Sequence, residues 1–302
     1  MIEIRTGSDS DISKMREAYE FLERSSIPYT PRILSAHRTP DAMVDAARNL
    51  NKENFRASIC AAGGAAHLPG MTASETLIPV IGLPIIASTL NGLDSFYSIV
   101  QMPDGIPVGT VGAGQSRAAT ELAMRIAYLD DLTIRNTIRA ELNRDELEYI
   151  ESPKISVCSS NEVSKMKLDD LYEFAEDLGV ICEETEEKTD IVVVVQKLQT
   201  EKDIAHELAL NSDAVVIALY LTDPDTSQSE INFLWSAKSE SIAPVAMMGL
   251  NRTKNAVLYA AQIQALYDKR ITTKLINYRN AMKAVVEKKN LKLEKLGVRQ
   301  FW

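Results

Sequence analysis

The run from Ser35 to Pro40 places a titratable imidazole, His37, beside a permanent cation, Arg38. Thr39 suits the N-cap of a helix, and Pro40 suits its first turn, where a missing N–H group costs nothing. His37 and Arg38 would then lie on the loop that opens a helix, where free N–H groups and the helix dipole favour anions. A proton carrier and a cation that can hold phosphate therefore predict an active site on this loop.

Two further stretches are rich in small and polar residues. In Gly7–Asp11, glycine permits a tight turn, and serine hydroxyls together with helix-start N–H groups can hold a phosphate. In Ala61–Gly70, small residues let a ligand approach the backbone closely, and His67 could contact it. Taken alone, the first stretch is more typical of a plain N-cap cluster, and the second is more typical of a Gly-Gly turn with an incidental histidine. A third stretch, Asp94–Pro103, has the apolar spacing of a packed helix.

Strands and helices alternate along the first half of the chain, and they must position these loops. The predicted strands cover residues 2–6, 29–34, 56–61, 78–86 and 106–111, and the predicted helices cover residues 12–24, 41–51 and 118–130. Such alternation predicts an α/β fold with a parallel sheet covered on both faces. Ligands of these sheets bind beyond the carboxyl ends of the strands, where the loops above lie.

Composition narrows the range of partners. The chain has 302 residues, which predicts two domains, and a formal net charge of -9, which argues against a nucleic-acid surface. Cys60, Cys158 and Cys182 are too few and too scattered for a disulfide framework, and this is typical of a reducing compartment. Met1–Arg5 leads directly into a strand and no apolar run approaches membrane length. We therefore expect a cytoplasmic protein with no signal peptide, no membrane contact and no metal.

The boundary between the two domains is predicted near the middle of the chain. An acidic helix is predicted over residues 141–151, and Pro153 marks the break after it. These signals divide the chain into domains 1–150 and 151–302.

The second half repeats features of the first. Cys158–Glu162 lies 151 residues after Gly7–Asp11, and Gly249–Asp268 parallels Gly112–Asp131 at an offset of 137. The pattern indicates an internal duplication that has lost residues between the two matches. Two unrelated α/β domains would also show similar strands, and this remains the alternative.

Four blocks of the first half, taken in order, resemble the PurE family of purine biosynthesis, which contains aminoimidazole ribonucleotide carboxylases and mutases. The blocks are Gly7–Asp11, Ser35–Pro40, Gly63–Met71 and Asp94–Val108. The blocks match the branch of the family that uses a carboxylated substrate. The branch that uses CO2 more often has lysine after the catalytic histidine and a different glycine loop.

This resemblance implies a three-layer αβα sandwich with a flavodoxin-like parallel sheet, tandemly duplicated here, and an octamer in which neighbouring chains complete each site. It also implies an N5-carboxyaminoimidazole ribonucleotide mutase, which moves a carboxyl group from N5 to C4 through bound CO2, with His37 as general acid and base and with no metal or organic cofactor. By the same resemblance, the substrate-binding residues would be Ser8, Ser10, Asp11, Ser35, Ala36, Arg38, Gly64, Ala65, His67 and Leu68. Ser8 and Arg38 would hold the phosphate, and Asp11 the ribose.

The second half departs from the family pattern. Gln196–Thr200 is aligned with Ser35–Thr39, the histidine loop that carries His37, so that Leu198 would replace His37. Glu162 would replace Asp11. We therefore expect a degenerate, catalytically silent copy kept for assembly, with four chains forming a pseudo-octamer. Two other functions stay open: a carboxylase that uses CO2 directly on aminoimidazole ribonucleotide, and a non-catalytic module that binds sugar phosphates.

Overall fold

The computed structural model describes residues 1–86, 91–141, 145–148, 153–184, 189–200 and 202–296. Ten strands form one sheet. In chain order they are β1 Ile2–Thr6, β2 Tyr29–Ile33, β3 Ala57–Ala62, β4 Val80–Pro84, β5 Gly109–Thr110, β6 Ile155–Ser159, β7 Cys182–Glu184, β8 Ile191–Lys197, β9 Val215–Leu221 and β10 Val245–Met248.

Helices connect the strands. A 3-10 helix, Asp9–Met15, leads into the first α-helix. The α-helices are α1 Arg16–Arg24, α2 Pro40–Asn49, α3 His67–Glu75, α4 Leu93–Val100, α5 Ser116–Ala127, α6 Leu132–Glu141, α7 Lys165–Asp177, α8 Ile204–Leu210, α9 Gln228–Ser239, α10 Thr253–Ala265 and α11 Lys269–Leu296. The acidic helix predicted over residues 141–151 is wrong where it can be checked, since α6 ends at Glu141 and residues 145–148 are not helical. Its other residues, and the predicted domain boundary between residues 150 and 151, lie outside the described residues.

The sheet has the order β2-β1-β3-β4-β5-β10-β9-β8-β6-β7. When the strands of each half are numbered from that half's own first strand, both halves have the flavodoxin-like order 2-1-3-4-5. The two halves meet where β5 pairs with β10, and this is the one antiparallel pair of the described sheet. Its partners, Thr110 and Met247, are equivalent residues, because α5 begins at Ser116 and α10 at Thr253. The predicted flavodoxin-like duplication is therefore confirmed.

Helices cover both faces of the sheet. On one face, α1, α5, α7 and α10 bury a continuous apolar cluster that runs through both halves and includes Ile4, Leu122, Val193 and Tyr259. On the other face, α2 and α3 pack over the first half around Met43, whereas α8 and α9 pack over the second half. The predicted three-layer αβα sandwich is confirmed.

Strand register corrects the alignment of the two halves. Ile2 pairs with Tyr29 on β2 and Ala57 on β3, and Ile155 pairs in the same way with its neighbours on β7 and β8. Ile155 is thus the counterpart of Ile2, and counting onward places Ser164, rather than Glu162, at the position of Asp11.

The same register shows that Leu198 does not replace His37. Leu198 follows β8, which is the counterpart of β3, so that Gln196–Thr200 stands where the Gly63–Ala66 turn begins. The true counterpart of the histidine loop would follow β7. In the described part of the β7–β8 connection there is no equivalent of α2, and residues 185–188 lie outside the described residues.

Candidate active site

Three loops of the first half meet at the carboxyl edge of the sheet. They follow β1, β2 and β3, which are adjacent strands, so their ends lie side by side. The loops enclose a cavity of about 400 Å³. Its lining residues are Gly7, Ser8, Asp11, Ser35, Ala36, His37, Arg38, Ala62, Gly63, Ala65, Ala66, His67 and Leu68.

All but two of the residues predicted for the site line this cavity. The exceptions are Ser10, whose hydroxyl donates to Ser8 Oγ at 3.0 Å, and Gly64, whose φ of +60° lets the turn bend toward the cavity. The sequence prediction left out Gly7, Ala62 and other small lining residues. They carry no reactive side chain, and the rule that ligands bind at the carboxyl ends of strands is the signal that could have included them.

Two imidazoles lie in contact inside the cavity. Nε2 of His37 is 2.8 Å from Nδ1 of His67, and the rings meet edge to face with centroids 5.0 Å apart. At this distance one nitrogen donates and the other accepts, so the contact holds a proton between the rings. The pair can therefore give a proton to a ligand and take one back.

His67 is presented by an unusual helix start. It is the first residue of α3, and the residue before it, Ala66, has the left-handed φ of 43° and no side chain that can cap the helix. A left-handed non-glycine residue carries a cost of roughly 1–2 kcal/mol, so this turn is held by its surroundings. The first N–H groups of α3 consequently have no side-chain cap and lie beside the cavity, where they favour an anion.

The loop before α2 has the predicted cap position but uses its hydroxyl differently. Thr39 is the N-cap residue and Pro40 begins the helix. However, Thr39 Oγ1 accepts from the amide of Ser35 at 3.0 Å and donates to the Ser35 carbonyl at 3.2 Å. The hydroxyl thereby closes the loop that carries His37.

A cation lies at the other side of the cavity. Arg38 Nη2 donates to the Gly7 carbonyl at 3.1 Å and its Nε donates to Ser35 Oγ at 3.4 Å, while no described carboxylate forms an ion pair with it. The Ser8 hydroxyl donates to Asp9, and this hydrogen bond, with backbone N–H groups and the nearby arginine, lowers the pKa of the Asp9 carboxyl. The arrangement leaves the guanidinium charge available to a ligand anion.

A buried ion pair on β1 contacts both helices next to the site. Arg5 and Glu3 are 0% exposed on β1, and Arg5 Nε donates to Glu3 Oε2 at 2.5 Å. Arg5 Nη1 also donates to the Met43 carbonyl on α2 at 3.3 Å and to Thr72 Oγ1 on α3 at 3.2 Å. The pair thus connects the two helices whose N-terminal ends carry the histidines.

The second half also has a cavity at its carboxyl edge, of about 680 Å³, but its chemistry differs. The N-terminus of α8, the counterpart of α3, is capped within the chain. Asp203 accepts from the amide of His206 at 3.1 Å, and Gln196 Oε1 accepts from the amide of Ile204 at 3.0 Å. The imidazole of His206 is 2.9 Å from Ser241 Oγ. The N–H groups at this helix start are therefore bonded to side chains of the same half, whereas those at the start of α3 have no side-chain cap and favour an anion.

Neither a metal site nor a membrane-spanning helix occurs in the part of the chain that the structure describes. Within it, no three His, Cys, Asp or Glu side chains are grouped so that they could hold a metal ion. Within the same residues, no helix combines the length and the apolar composition needed to cross a membrane.

Known proteins are similar to the part of the chain that carries the histidine pair. The family model for AIR carboxylase matches residues 1–147. N5-carboxyaminoimidazole ribonucleotide mutase of Thermotoga maritima is 48% identical over 145 residues, which are 48% of this chain and 85% of that protein. Phosphoribosylaminoimidazole carboxylase of Schizosaccharomyces pombe is 53% identical over 126 residues, which are 42% of this chain and 23% of that protein. PurE of Treponema denticola aligns in structure with a TM-score of 0.43 and 27% identity, covering 47% of this chain and 89% of that one.

The fold and the site define a doubly wound α/β protein with a histidine pair at the carboxyl edge of its parallel sheet. The Thermotoga maritima relative is 48% identical and 85% of its length is covered, and this match shows the family. The chain belongs to the AIR carboxylase family, also called the PurE family.

Proposed function

We propose that the chain is an N5-carboxyaminoimidazole ribonucleotide mutase of de novo purine biosynthesis, with His37 as general acid and base. The observation that carries this proposal is the contact of 2.8 Å between His37 and His67 in a cavity that Arg38 also lines. Imidazole as a side-chain type titrates near neutral pH, so it suits a group that must both give and take a proton.

In the proposed reaction, the bond between N5 and the carboxyl carbon breaks, and its electron pair returns to N5. His37 gives its proton to N5, and CO2 stays in the cavity. C4 of the imidazole ring then attacks the carbon of CO2, and His37 removes the proton from C4, which restores the aromatic ring. One proton leaves His37 and one returns, so the step needs no other reactant.

The remaining site residues hold the nucleotide in this proposal. Arg38 and Ser8 take the 5′-phosphate, and Asp11 accepts from the ribose hydroxyls. The uncapped N–H groups at the start of α3, with Ala65 and Leu68, face the carboxylate and the base. The small residues of this loop leave room for CO2 and little room for its escape.

The His37→Asn variant tests the assignment. We expect it to bind the nucleotide and to lose turnover by a factor of about 10² to 10⁴, the usual contribution of a general acid or base. His206→Asn is the matched control, since His206 lies in the second half against Ser241 and should keep full turnover. Full activity in His37→Asn would refute the assignment.

A second candidate is a carboxylase that uses CO2 directly on aminoimidazole ribonucleotide, and the name of the Schizosaccharomyces pombe relative favours it. The purified protein should be offered either N5-carboxyaminoimidazole ribonucleotide or aminoimidazole ribonucleotide with bicarbonate at physiological CO2. Faster turnover of the first substrate supports the mutase, and faster turnover of the second supports the carboxylase. Binding of both nucleotides without turnover would leave the sugar-phosphate module as the function.

We further propose that residues 1–150 form the catalytic domain of a cytoplasmic enzyme and that residues 151–302 form a silent structural copy. The capped N-terminus of α8 supports silence, because the anion-favouring end of its counterpart is closed there. Four chains, each with two family-like units, would form a pseudo-octamer. Light scattering should give a tetramer, and a monomer or dimer would refute this assembly.

A further inference from the structure

Helix α11 belongs to the second half of the chain but contacts the C-terminal end of α3, the helix that begins in the candidate site. Arg279 on α11 extends its guanidinium to the C-terminal end of α3. Nη2 donates to the Ala73 carbonyl at 2.8 Å, and Nη1 donates to the Ser74 carbonyl at 3.1 Å. Carbonyls of the last helical turn have no partner inside the helix, so this fork satisfies two of them.

The guanidinium is held there at some electrostatic cost. Burial lowers the pKa of Arg279 to about 10, while the charge of Glu75 acts in the opposite direction. The side chain is therefore still protonated at neutral pH, and it lies at the negative end of the α3 dipole, where a cation is favourable. Glu75 itself pairs with Arg48, at 2.8 Å. The main hydrogen-bond partners of Arg279 are consequently the end carbonyls of α3.

The same short helix begins with His67. Helix α3 has nine residues, which corresponds to about 13 Å at 1.5 Å per residue. A Cβ atom at Gly70, in its middle, would lie 2.9 Å from Met102 Sδ, so α3 packs closely on that side chain. The Met102 carbonyl accepts from Asn255 Nδ2 of α10 at 3.3 Å. The second half thus holds both the end of α3 and the loop against which α3 packs.

We infer that Arg279 is a positioning residue for the histidine pair. By holding the C-terminal end of α3, it fixes the helix along its axis and keeps His67 Nδ1 within hydrogen-bond reach of His37 Nε2. The second half therefore acts on the site of the first half through one guanidinium. The consequence for turnover rests on the proposed function, whereas the consequence for the geometry of the pair does not.

The three histidines of the chain allow a direct test by nuclear magnetic resonance of ¹⁵N-labelled imidazoles. In the unchanged protein, a ¹⁵N–¹⁵N coupling through the hydrogen bond should join His37 Nε2 to His67 Nδ1. His206 should show no such coupling, because its ring nitrogen faces Ser241 Oγ. In Arg279→Met, the coupling between His37 and His67 should be lost while the His206 signal stays unchanged. The value of kcat should fall by a factor of about 10 to 100, with little change in KM, as for a displaced catalytic group.

Arg270→Met is the matched control, because Arg270 lies on the same helix, is 91% exposed and pairs with Asp268. It should leave the ¹⁵N–¹⁵N coupling between His37 and His67, and kcat, unchanged. A folded Arg279→Met protein that still shows the coupling between His37 Nε2 and His67 Nδ1 would overturn the inference. If that variant does not fold, Arg279→Lys decides, since lysine keeps the charge but loses the two-pronged donor. Weakened coupling then supports the positioning role, and unchanged coupling refutes it. Loss of coupling in a protein that turns over neither nucleotide would refute the proposed function and leave the positioning role standing.

Discussion

Replacing Arg5 by methionine removes one partner of the buried ion pair beneath the site. Both Arg5 and Glu3 are 0% exposed, and Arg5 also donates to α2 and α3. Removing one member of such a pair costs about 3–5 kcal/mol, because a charge is left buried without its partner. Glu3 keeps a hydrogen bond from Ser58 at 2.7 Å and the guanidinium of Arg32 at 3.2 Å, so we expect a value near the lower end of this range.

The free energy of unfolding should be measured by urea denaturation followed by circular dichroism. Arg16→Met is the matched control: its ion pair with Glu20 is exposed, and the variant should keep the urea midpoint of the unchanged protein. The double variant Glu3→Leu/Arg5→Met should recover part of the loss, since apolar residues often replace a buried pair without penalty. A loss below about 1 kcal/mol in Arg5→Met, or a double variant as unstable as the sum of both single variants, would contradict the reasoning.

Two further predictions concern packing and pH. Gly82→Ala should lower the free energy of unfolding by about 1–3 kcal/mol, because the added Cβ would lie 2.3 Å from Ile99 Cγ2. In the control Gly7→Ala, the added Cβ meets nothing within 4 Å, and the loss should be less than about 0.5 kcal/mol. Equal urea midpoints for the two variants would contradict this. Burial alone would raise the pKa of Asp213, but the hydrogen bond and charge of Arg135, together with Arg139, lower it. Asp213 therefore stabilises the fold above the unfolded pKa of roughly 3.9 and loses this effect as the pH falls through its lower folded pKa. Urea midpoints measured from pH 7 down to pH 2 should fall less steeply for Asp213→Asn than for the unchanged protein, and parallel curves would exclude this contribution.

Much of the first half could be predicted because its signals are local. Thr39 and Pro40 mark the start of α2, and the small and apolar residues of Ala57–Ala62 mark β3. The lining of the cavity followed from one topological rule, that loops after adjacent parallel strands meet. The contact between His37 and His67 could not be predicted, because it depends on the left-handed turn at Ala66 and on the angle between two helices.

The second half was harder because its alignment with the first depends on strand pairing. Local similarity of polar residues paired Glu162 with Asp11, while the register of β6 assigns that place to Ser164. The described β7–β8 connection has no equivalent of α2, and no pattern in the sequence signals this difference. Local similarity therefore aligns Leu198 with His37, although the two residues lie on loops that are not equivalent. The hydrogen bonds of Arg279 to α3 join residues far apart in the chain, and no periodicity signals them.

The pairing of β5 with β10 brings together Thr110 and Met247, which hold the same position in the two halves. When a residue pairs antiparallel with its own counterpart, the seam has the geometry of a two-fold symmetric dimer interface. The chain therefore amounts to a dimer whose two protomers are joined covalently. In such a dimer one half meets the other at a fixed effective concentration, so dilution cannot separate them. The second half therefore stays attached to the half that carries the histidine pair at any protein concentration.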